Sequence, residues 1–167
     1  MVGILDGNET RILLMLRGEF RTTLFSLEDP RDPKKMIVVD LRQSRAPLIN
    51  VFINKDHPRI DAEIFLEFNY LSLQSNEDYI TPSKYKIIEK AVEQFFEREA
   101  KNLLAKSKKW KSDFIGFGNY ASIRFWTWEQ WEKYNWSKVY EKAKINVKVN
   151  ARFRRTGIIK RLSGVGG

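Results

Sequence analysis

Tryptophan is concentrated in one stretch of the chain, and the chemistry open to these side chains bears directly on function. Four of the five tryptophans, Trp126, Trp128, Trp131 and Trp136, lie within residues 116–140. Clustered tryptophans line ligand or sugar clefts, stack nucleic-acid bases, or form part of a hydrophobic core. The elements that position these side chains decide among the three interpretations.

Basic residues are the second feature with chemical consequences. Residues 1–80 carry 10 Lys and Arg against 13 Asp and Glu, a net charge of −3, and residues 81–167 carry 20 against 8, a net of +12, which together give +9. A basic half is typical of a chain that meets a nucleic acid, a phospholipid surface or an acidic protein. The candidate interaction face comprises Lys148, Arg152, Arg154, Arg155, Lys160, Arg161 and Trp128.

The sequence lacks the residue sets that most enzymes and metal proteins need. His57 is the only histidine, and there is no cysteine to complete a metal cluster. Glu63 and Glu67 share one face of a predicted strand, but solvated or salt-bridged carboxylates do so too. Gly116 and Gly118 lack the third glycine of a dinucleotide fingerprint, so they are interpreted as structural residues of a turn. We therefore predict no catalytic, cofactor or metal site, and no enzyme.

Length and composition predict one domain. With 167 residues, 43% apolar and 31% charged, the chain is long enough to bury a core. We expect a single α+β domain over residues 2–161 and a flexible tail over 162–167. No apolar run approaches the roughly 20 residues of a membrane span, and the first residues do not resemble a signal peptide. By itself the chain is expected to be soluble.

The first half of the chain predicts a mainly antiparallel, half-buried sheet. Alternation is clearest over residues 59–73, where one face is apolar. That face carries Ile60, Ala62, Ile64, Leu66, Phe68 and Tyr70. Further strands are predicted over residues 11–17, 20–27, 36–43 and 48–54.

The second half predicts one long helix, shorter helices and a final strand. Thr81 and Pro82 are typical of a helix start, and apolar residues recur at helical spacing from about 82 to 109. A short helix is predicted over about 119–125. Residues 145–153 alternate between apolar and polar side chains, which favours a strand.

The spacing around Thr127 gives the tryptophans structural roles. Thr127 and Gln130 form a predicted capping box, in which each side chain binds the other's backbone N–H. Trp126 and Trp131 then occupy the two positions of a hydrophobic staple. Trp136 lies four residues before Tyr140, as expected for a packed helical pair. We predict that most of these rings lie in the core and that Trp128 is the most exposed.

The order of these motifs resembles one known family. The chain carries Ser112-Asp113-Phe114-Ile115-Gly116-Phe117-Gly118, the tryptophan-rich helix, Trp136 with Val139-Tyr140, the strand 145–153, and Arg154-Arg155-Thr156-Gly157. Residues 2–11 also match. This arrangement, over about residues 2–160, is similar to the C-terminal domain of the Ger(x)C family, the C subunit of bacterial spore nutrient-germinant receptors. Tyr140 stands where the family pattern has Phe.

The resemblance implies a non-enzymatic role without a cofactor. Proteins of this family are lipoproteins at the outer surface of the spore inner membrane, beside integral-membrane A and B subunits. The resemblance implies that this chain corresponds to one domain of such a protein, a protein-interaction module needed for nutrient-induced germination. A second hypothesis remains: a basic surface-binding domain that contacts anionic phospholipid or nucleic acid. Because charge would drive such binding, the binding should weaken as the salt concentration rises. No nucleic-acid-binding motif supports the nucleic-acid alternative, so that partner is not expected.

Overall fold

The computed structural model describes residues 3–55, 57–73 and 82–154, which fold as an α+β domain. One four-stranded sheet has the order β1-β2-β3-β4, with antiparallel pairing of β1 to β2 and β2 to β3, and parallel pairing of β3 to β4. The predicted class, a mainly antiparallel sheet with one long helix, is confirmed. The elements are α1 (Gly7–Arg17), β1 (Thr22–Glu28), β2 (Met36–Phe52), β3 (Arg59–Leu73), α2 (Pro82–Lys109), α3 (Phe117–Ser122), α4 (Trp128–Tyr134), α5 (Trp136–Tyr140) and β4 (Lys144–Phe153).

The first element is a helix, so the strand predicted over residues 11–17 is wrong. Asp6 caps α1: its carboxylate accepts the backbone N–H of Glu9 at 2.8 Å, while the Glu9 carboxylate accepts that of Asp6 at 2.9 Å. This reciprocal box fixes the start of a helix immediately before the apolar run. The apolar residues are then buried at helical spacing, at Ile12, Met15 and Leu16.

The central strands bury one face of the sheet, as the alternation predicts. On β3 the apolar face is at most 3% exposed wherever its side chains are described, at Ile60, Ala62, Ile64, Leu66 and Phe68. The side chain of Tyr70 is not among those described. The two strands predicted over 36–43 and 48–54 are one strand, β2, whose register to β3 shifts between Gln43 and Leu48. That irregularity explains why the sequence pattern is interrupted there.

Helix α2 covers the buried face, and its predicted extent is confirmed. Its apolar stripe, which includes Ile88, Val92, Phe96 and Leu103, is at most 2% exposed. None of the helices within the described residues is both long and apolar enough to cross a membrane. The predicted cap Thr81 and tail 162–167 lie outside the described residues.

Side chains of α2 also close the free edge of β4. Three backbone N–H groups on the edge of β4 that faces away from β3 donate to carboxylates of α2. The donors are Val149, Ala151 and Phe153, and the acceptors are Oε1 of Glu97, Glu93 and Glu89, at 3.1, 3.0 and 2.9 Å. Four residues of helix rise about 6 Å and two residues of strand about 6.6 Å, so the two periods match closely enough for three consecutive bonds.

The opposite face of the sheet is polar. The Arg42 guanidinium binds the Glu67 carboxylate across β2 and β3. Across β3 and β4, the side-chain amide of Asn146 donates to the Asp61 carboxylate at 2.7 Å. Further along the same two strands, a second asparagine amide donates to a glutamate carboxylate. These cross-strand pairs satisfy polar groups on a face that none of the described helices covers.

Replacing a carboxylate of this helix–strand contact is expected to destabilise the domain. Glu93→Ala removes the acceptor of the Ala151 N–H and should lower the free energy of unfolding by about 1–3 kcal/mol, because a partly buried donor loses its partner. Urea unfolding monitored by circular dichroism measures the change. Glu93→Gln retains an oxygen acceptor and is the matched control, with a smaller loss. Equal stability of Glu93→Ala and the wild type would contradict this role.

Candidate interaction surface

The segment between α2 and α3 is organised by one carboxylate. Asp113 Oδ1 accepts the backbone N–H groups of Gly116 and Phe117, both at 3.0 Å, and Oδ2 accepts that of Gly118 at 2.6 Å. The same Oδ2 accepts the indole N–H of Trp136 at 2.8 Å. Asp113 thus caps the start of α3 and binds it to α5, with the negative charge at the favourable end of the helix dipole.

The structure explains why glycine stands at both positions of this segment, which the sequence alone does not. Gly116 has φ +93°, a left-handed conformation that other residues adopt only with strain. A Cβ on Gly118 would lie 2.9 Å from Nε1 of Trp136, where there is no room for it. The turn therefore requires glycine once for its backbone angle and once for the close approach of an indole ring.

A buried hydroxyl pair ties α5 to α2. Ser107 donates to the backbone oxygen of Ser112 at 2.6 Å and, since its one proton is used there, accepts the phenol proton of Tyr140 at 2.6 Å. Burial raises the pKa of the Tyr140 phenol far above its usual value, so the group stays protonated. On the same helix, burial lowers the pKa of Lys108, whose ammonium donates to the backbone oxygen of Ala143. These contacts join the end of α2 to the segment that leads into β4.

Only part of the tryptophan cluster packs in the interior. Trp136 is 8% exposed, and its ring lies 5.8 Å from that of Tyr140 and 5.9 Å from that of Trp131. Trp131 also contacts Phe125, with ring centroids 5.5 Å apart. Tyr134 lies within the same group and donates its phenol proton to the backbone oxygen of Asn54 at 2.7 Å. These rings connect the short helices to the turn between β2 and β3.

The predicted hydrophobic staple is wrong. Trp126 is 95% exposed and does not pack on Trp131, so Trp126, and not Trp128 as predicted, is the most exposed of these tryptophans. The Thr127 hydroxyl does accept the Gln130 N–H, at 3.3 Å, but the Gln130 side chain accepts the N–H of Trp126, one residue before the cap, at 3.2 Å. One bond of the predicted capping box is therefore present, while the Gln130 side chain accepts the N–H of Trp126 in place of that of Thr127. Trp131 finds its partners in Phe125 and Trp136 instead, which leaves the Trp126 ring in solvent.

Four large apolar side chains near α3 and α4 are exposed, and we call them the exposed apolar segment: Tyr120, Ile123, Trp126 and Trp128. Their exposed fractions are 37%, 74%, 95% and 69%. Trp128 is also held in place, because its indole N–H donates to Glu132 at 2.7 Å. A partner that covered these rings would bury apolar area of the kind that forms interface hot spots.

Two of the three cations of the predicted basic face that the structure describes form exposed ion pairs. Lys148 lies 3.4 Å from the Glu63 carboxylate, and Arg152 lies 3.4 Å from that of Glu89. Arg154 is exposed and continues the register of β4 by donating its N–H to Phe68. The other members of that face, Arg155, Lys160 and Arg161, and the structural residue Gly157 lie outside the described residues.

The residues considered for catalysis are dispersed or already paired. His57 is exposed beside the start of β3, while Glu63 and Glu67 bind Asn150 and Arg42, respectively. Within residues 3–55, 57–73 and 82–154, no three His, Cys, Asp or Glu side chains are placed to hold a metal ion.

The fold and these motifs define an α+β domain built on a helix-covered sheet, and the comparisons give its family. The family model described as spore germination B3/GerAC like, C-terminal, matches residues 1–157, so the chain belongs to this family. The resemblance to the C-terminal domain of germinant-receptor C subunits is thereby confirmed.

Two known proteins are similar to the chain. Spore germination protein KC of Bacillus subtilis (strain 168) is 40% identical over 80 residues, which are 46% of this chain and 19% of that protein. The crystal structure of the GerBC protein matches with a TM-score of 0.75 at 16% identity, over 92% of this chain and 47% of the other. The chain thus spans less than half the length of either relative, and the second likeness supports the fold.

The two classes of tryptophan are expected to respond differently to substitution. Trp126→Ser should change the free energy of unfolding by less than about 0.5 kcal/mol, since its ring contributes to no core contact. Trp136→Ser should cost about 3–5 kcal/mol, because a buried ring and its bond to Asp113 are lost. Urea unfolding of both variants makes the comparison. A large loss of unfolding free energy for Trp126→Ser would contradict this assignment and support the hydrophobic staple.

Proposed function

We propose that this chain is a non-enzymatic protein-interaction domain of a spore germinant-receptor C subunit, and that it is required for nutrient-induced germination. Membership of the germination family carries this proposal. The exposed apolar segment supports it, since Ile123, Trp126 and Trp128 offer anchors suited to a protein interface. The partners proposed are the integral-membrane A and B subunits of the receptor, and the location is the outer surface of the spore inner membrane.

The anionic-surface alternative lacks comparable support. Lys148 and Arg152, two of the three described cations of the basic face, are paired with carboxylates, so their charge is partly offset. Exposed ion pairs of this kind are weak, but they reduce the field available to a phospholipid or nucleic acid. The aromatic side chains that would stack bases lie elsewhere, before and within α4. We therefore favour the protein-interaction role.

Spore germination with altered surface residues tests this function. Spores whose gene for this protein carries Trp126→Ser and Trp128→Ser are expected to lose most of their nutrient response, while the protein level stays normal. The response is measured as the loss of optical density after nutrient addition, beside a trigger that bypasses the nutrient receptors. Both substitutions lie at exposed positions, so the domain should remain folded.

The matched control replaces two other exposed apolar residues, Ile4→Ser and Leu48→Ser, which lie outside the exposed apolar segment. These spores should germinate normally. Normal nutrient germination of spores in which the whole domain is deleted would overturn the proposed function. Equal defects in the control and the tryptophan variant would assign the effect to the general loss of surface apolar area.

A further inference from the structure

The two edges of the sheet differ in how their backbone groups are satisfied. On β4, carboxylates of α2 accept the outward N–H groups at Val149, Ala151 and Phe153. On the other edge, β1 pairs with β2 and with no further strand among the described residues. An unpaired edge strand is a template for pairing with another extended segment. Among the described residues, one such edge is therefore closed and the other is open.

The register identifies the backbone groups that face the open edge. Two backbone bonds mark the ends of the β1–β2 pair. The N–H of Gln43 donates to the backbone oxygen of Arg21 at 3.1 Å, and the N–H of Asp29 donates to that of Lys35 at 2.9 Å. In an antiparallel pair, alternate residues direct both backbone groups to the neighbouring strand. The odd-numbered residues of β1 therefore face β2. The N–H and C=O groups of Leu24 and Ser26 point away from the sheet.

A groove of about 630 Å³ lies beside this edge, between β1 and α2. Its strand wall includes Leu24 and Ser26, and its helix wall includes Ala91, Gln94 and Phe95. Phe95 is half-buried, with its ring 5.0 Å from that of Phe25 in the core. A strand added to β1 would place alternate side chains over this apolar part of the helix. An edge strand beside a helix is the geometry used by proteins that bind peptides through strand addition.

Charge indicates what kind of segment fits. The helices contribute two charged side chains to the groove, and both are arginines: Arg11 of α1 and Arg98 of α2. Arg11 is held by the side-chain oxygen of Asn8 at 2.9 Å, and Arg98 stacks on the Phe95 ring with a weak 3.4 Å contact to the adjacent Glu99. The acidic residues of the lining, Glu28 and the buried Asp29, lie at the strand end of the groove. The helix wall that an added strand would face is positively charged, and it complements carboxylates on that side of the segment.

We propose that β1 binds an extended, acidic segment of a partner protein by strand addition. The segment pairs its backbone with Leu24 and Ser26, rests apolar side chains on Ala91 and Phe95, and directs carboxylates toward the arginines of the helix wall. This inference rests on the proposed function and names the surface and the type of partner segment. It concerns peptide binding by the isolated domain, so it can fail while the germination role holds, and the reverse.

A proline at one edge position tests the backbone pairing. Ser26→Pro removes an N–H that points away from β2, so the β1–β2 bonds remain and the domain should fold. Ser26→Ala keeps the N–H and is the matched control. The probes are nine-residue peptides selected from a random phage-displayed library on the wild-type domain, then synthesised with a fluorophore. Their binding to each variant is measured by fluorescence anisotropy.

The expected peptides alternate apolar and acidic residues. Ser26→Pro should weaken their binding about tenfold or more, and Ser26→Ala less than about threefold, since a pairing bond is lost only in the first. Independently of the proline, Arg98→Glu should weaken binding about tenfold and reduce its dependence on salt. Lys101→Glu, an exposed change on α2 outside the groove, is its control and should have little effect.

Three results would overturn the inference. In the first, a parallel selection on the Ser26→Pro variant serves as the background, and no peptide is enriched on the wild-type domain above that background. Another is enrichment of peptides that bind equally to the wild type, Ser26→Pro and Arg98→Glu. The last is self-association of the wild-type domain, detected by sedimentation and abolished by Ser26→Pro, which would make a second copy of this chain the occupant of the edge.

Discussion

The contact between α2 and β4 is the interaction on which the rest of the domain depends. β4 pairs in parallel with β3, so the chain must return to the end of the sheet where β3 begins before β4 can start. Helix α2 makes that return while lying along β4. Its carboxylates at Glu89, Glu93 and Glu97 fix the helix against the strand through backbone N–H groups. Core packing and edge protection are thereby achieved by one helix.

The short helices connect the end of α2 to the start of β4. A small set of polar contacts fixes their positions. Asp113 joins the start of α3 to Trp136, and the pair of Ser107 and Tyr140 joins α2 to α5. These contacts account for a motif, Asp113 to Gly118, whose spacing in the sequence has no evident chemistry. They also divide the tryptophans into two classes. Some rings complete the interior, and others remain in solvent.

Much of the architecture could be predicted from the sequence, because burial imposes a period on it. β3, β4 and α2 follow their apolar periods closely, since each buries one face. Residues 11–17 misled because their apolar residues are nearly continuous, so no period is visible. The capping box of Asp6 and Glu9 was the available signal for a helix. Parallel pairing of β4 is a tertiary property that no local pattern specifies.

The surface was harder to predict, since spacing along a chain does not report what a side chain meets in space. Trp126 satisfies the staple spacing, yet Trp131 packs against other rings. Lys148 and Arg152 alternate with apolar residues as a basic face would, but carboxylates from β3 and α2 pair with them. The repeat of glutamates at every fourth position of α2 was a visible signal of a helix–strand contact. Its target on β4 was not.

Amide hydrogen exchange of the isolated domain tests the central claim, that within the described part of the chain one sheet edge is closed by carboxylates while the other is open. The N–H groups of Val149, Ala151 and Phe153 should exchange slowly, since each donates to a carboxylate of α2. Those of Leu24 and Ser26 should exchange quickly, because they face the open edge. Comparable protection at the two edges, measured residue by residue by NMR, would contradict the account.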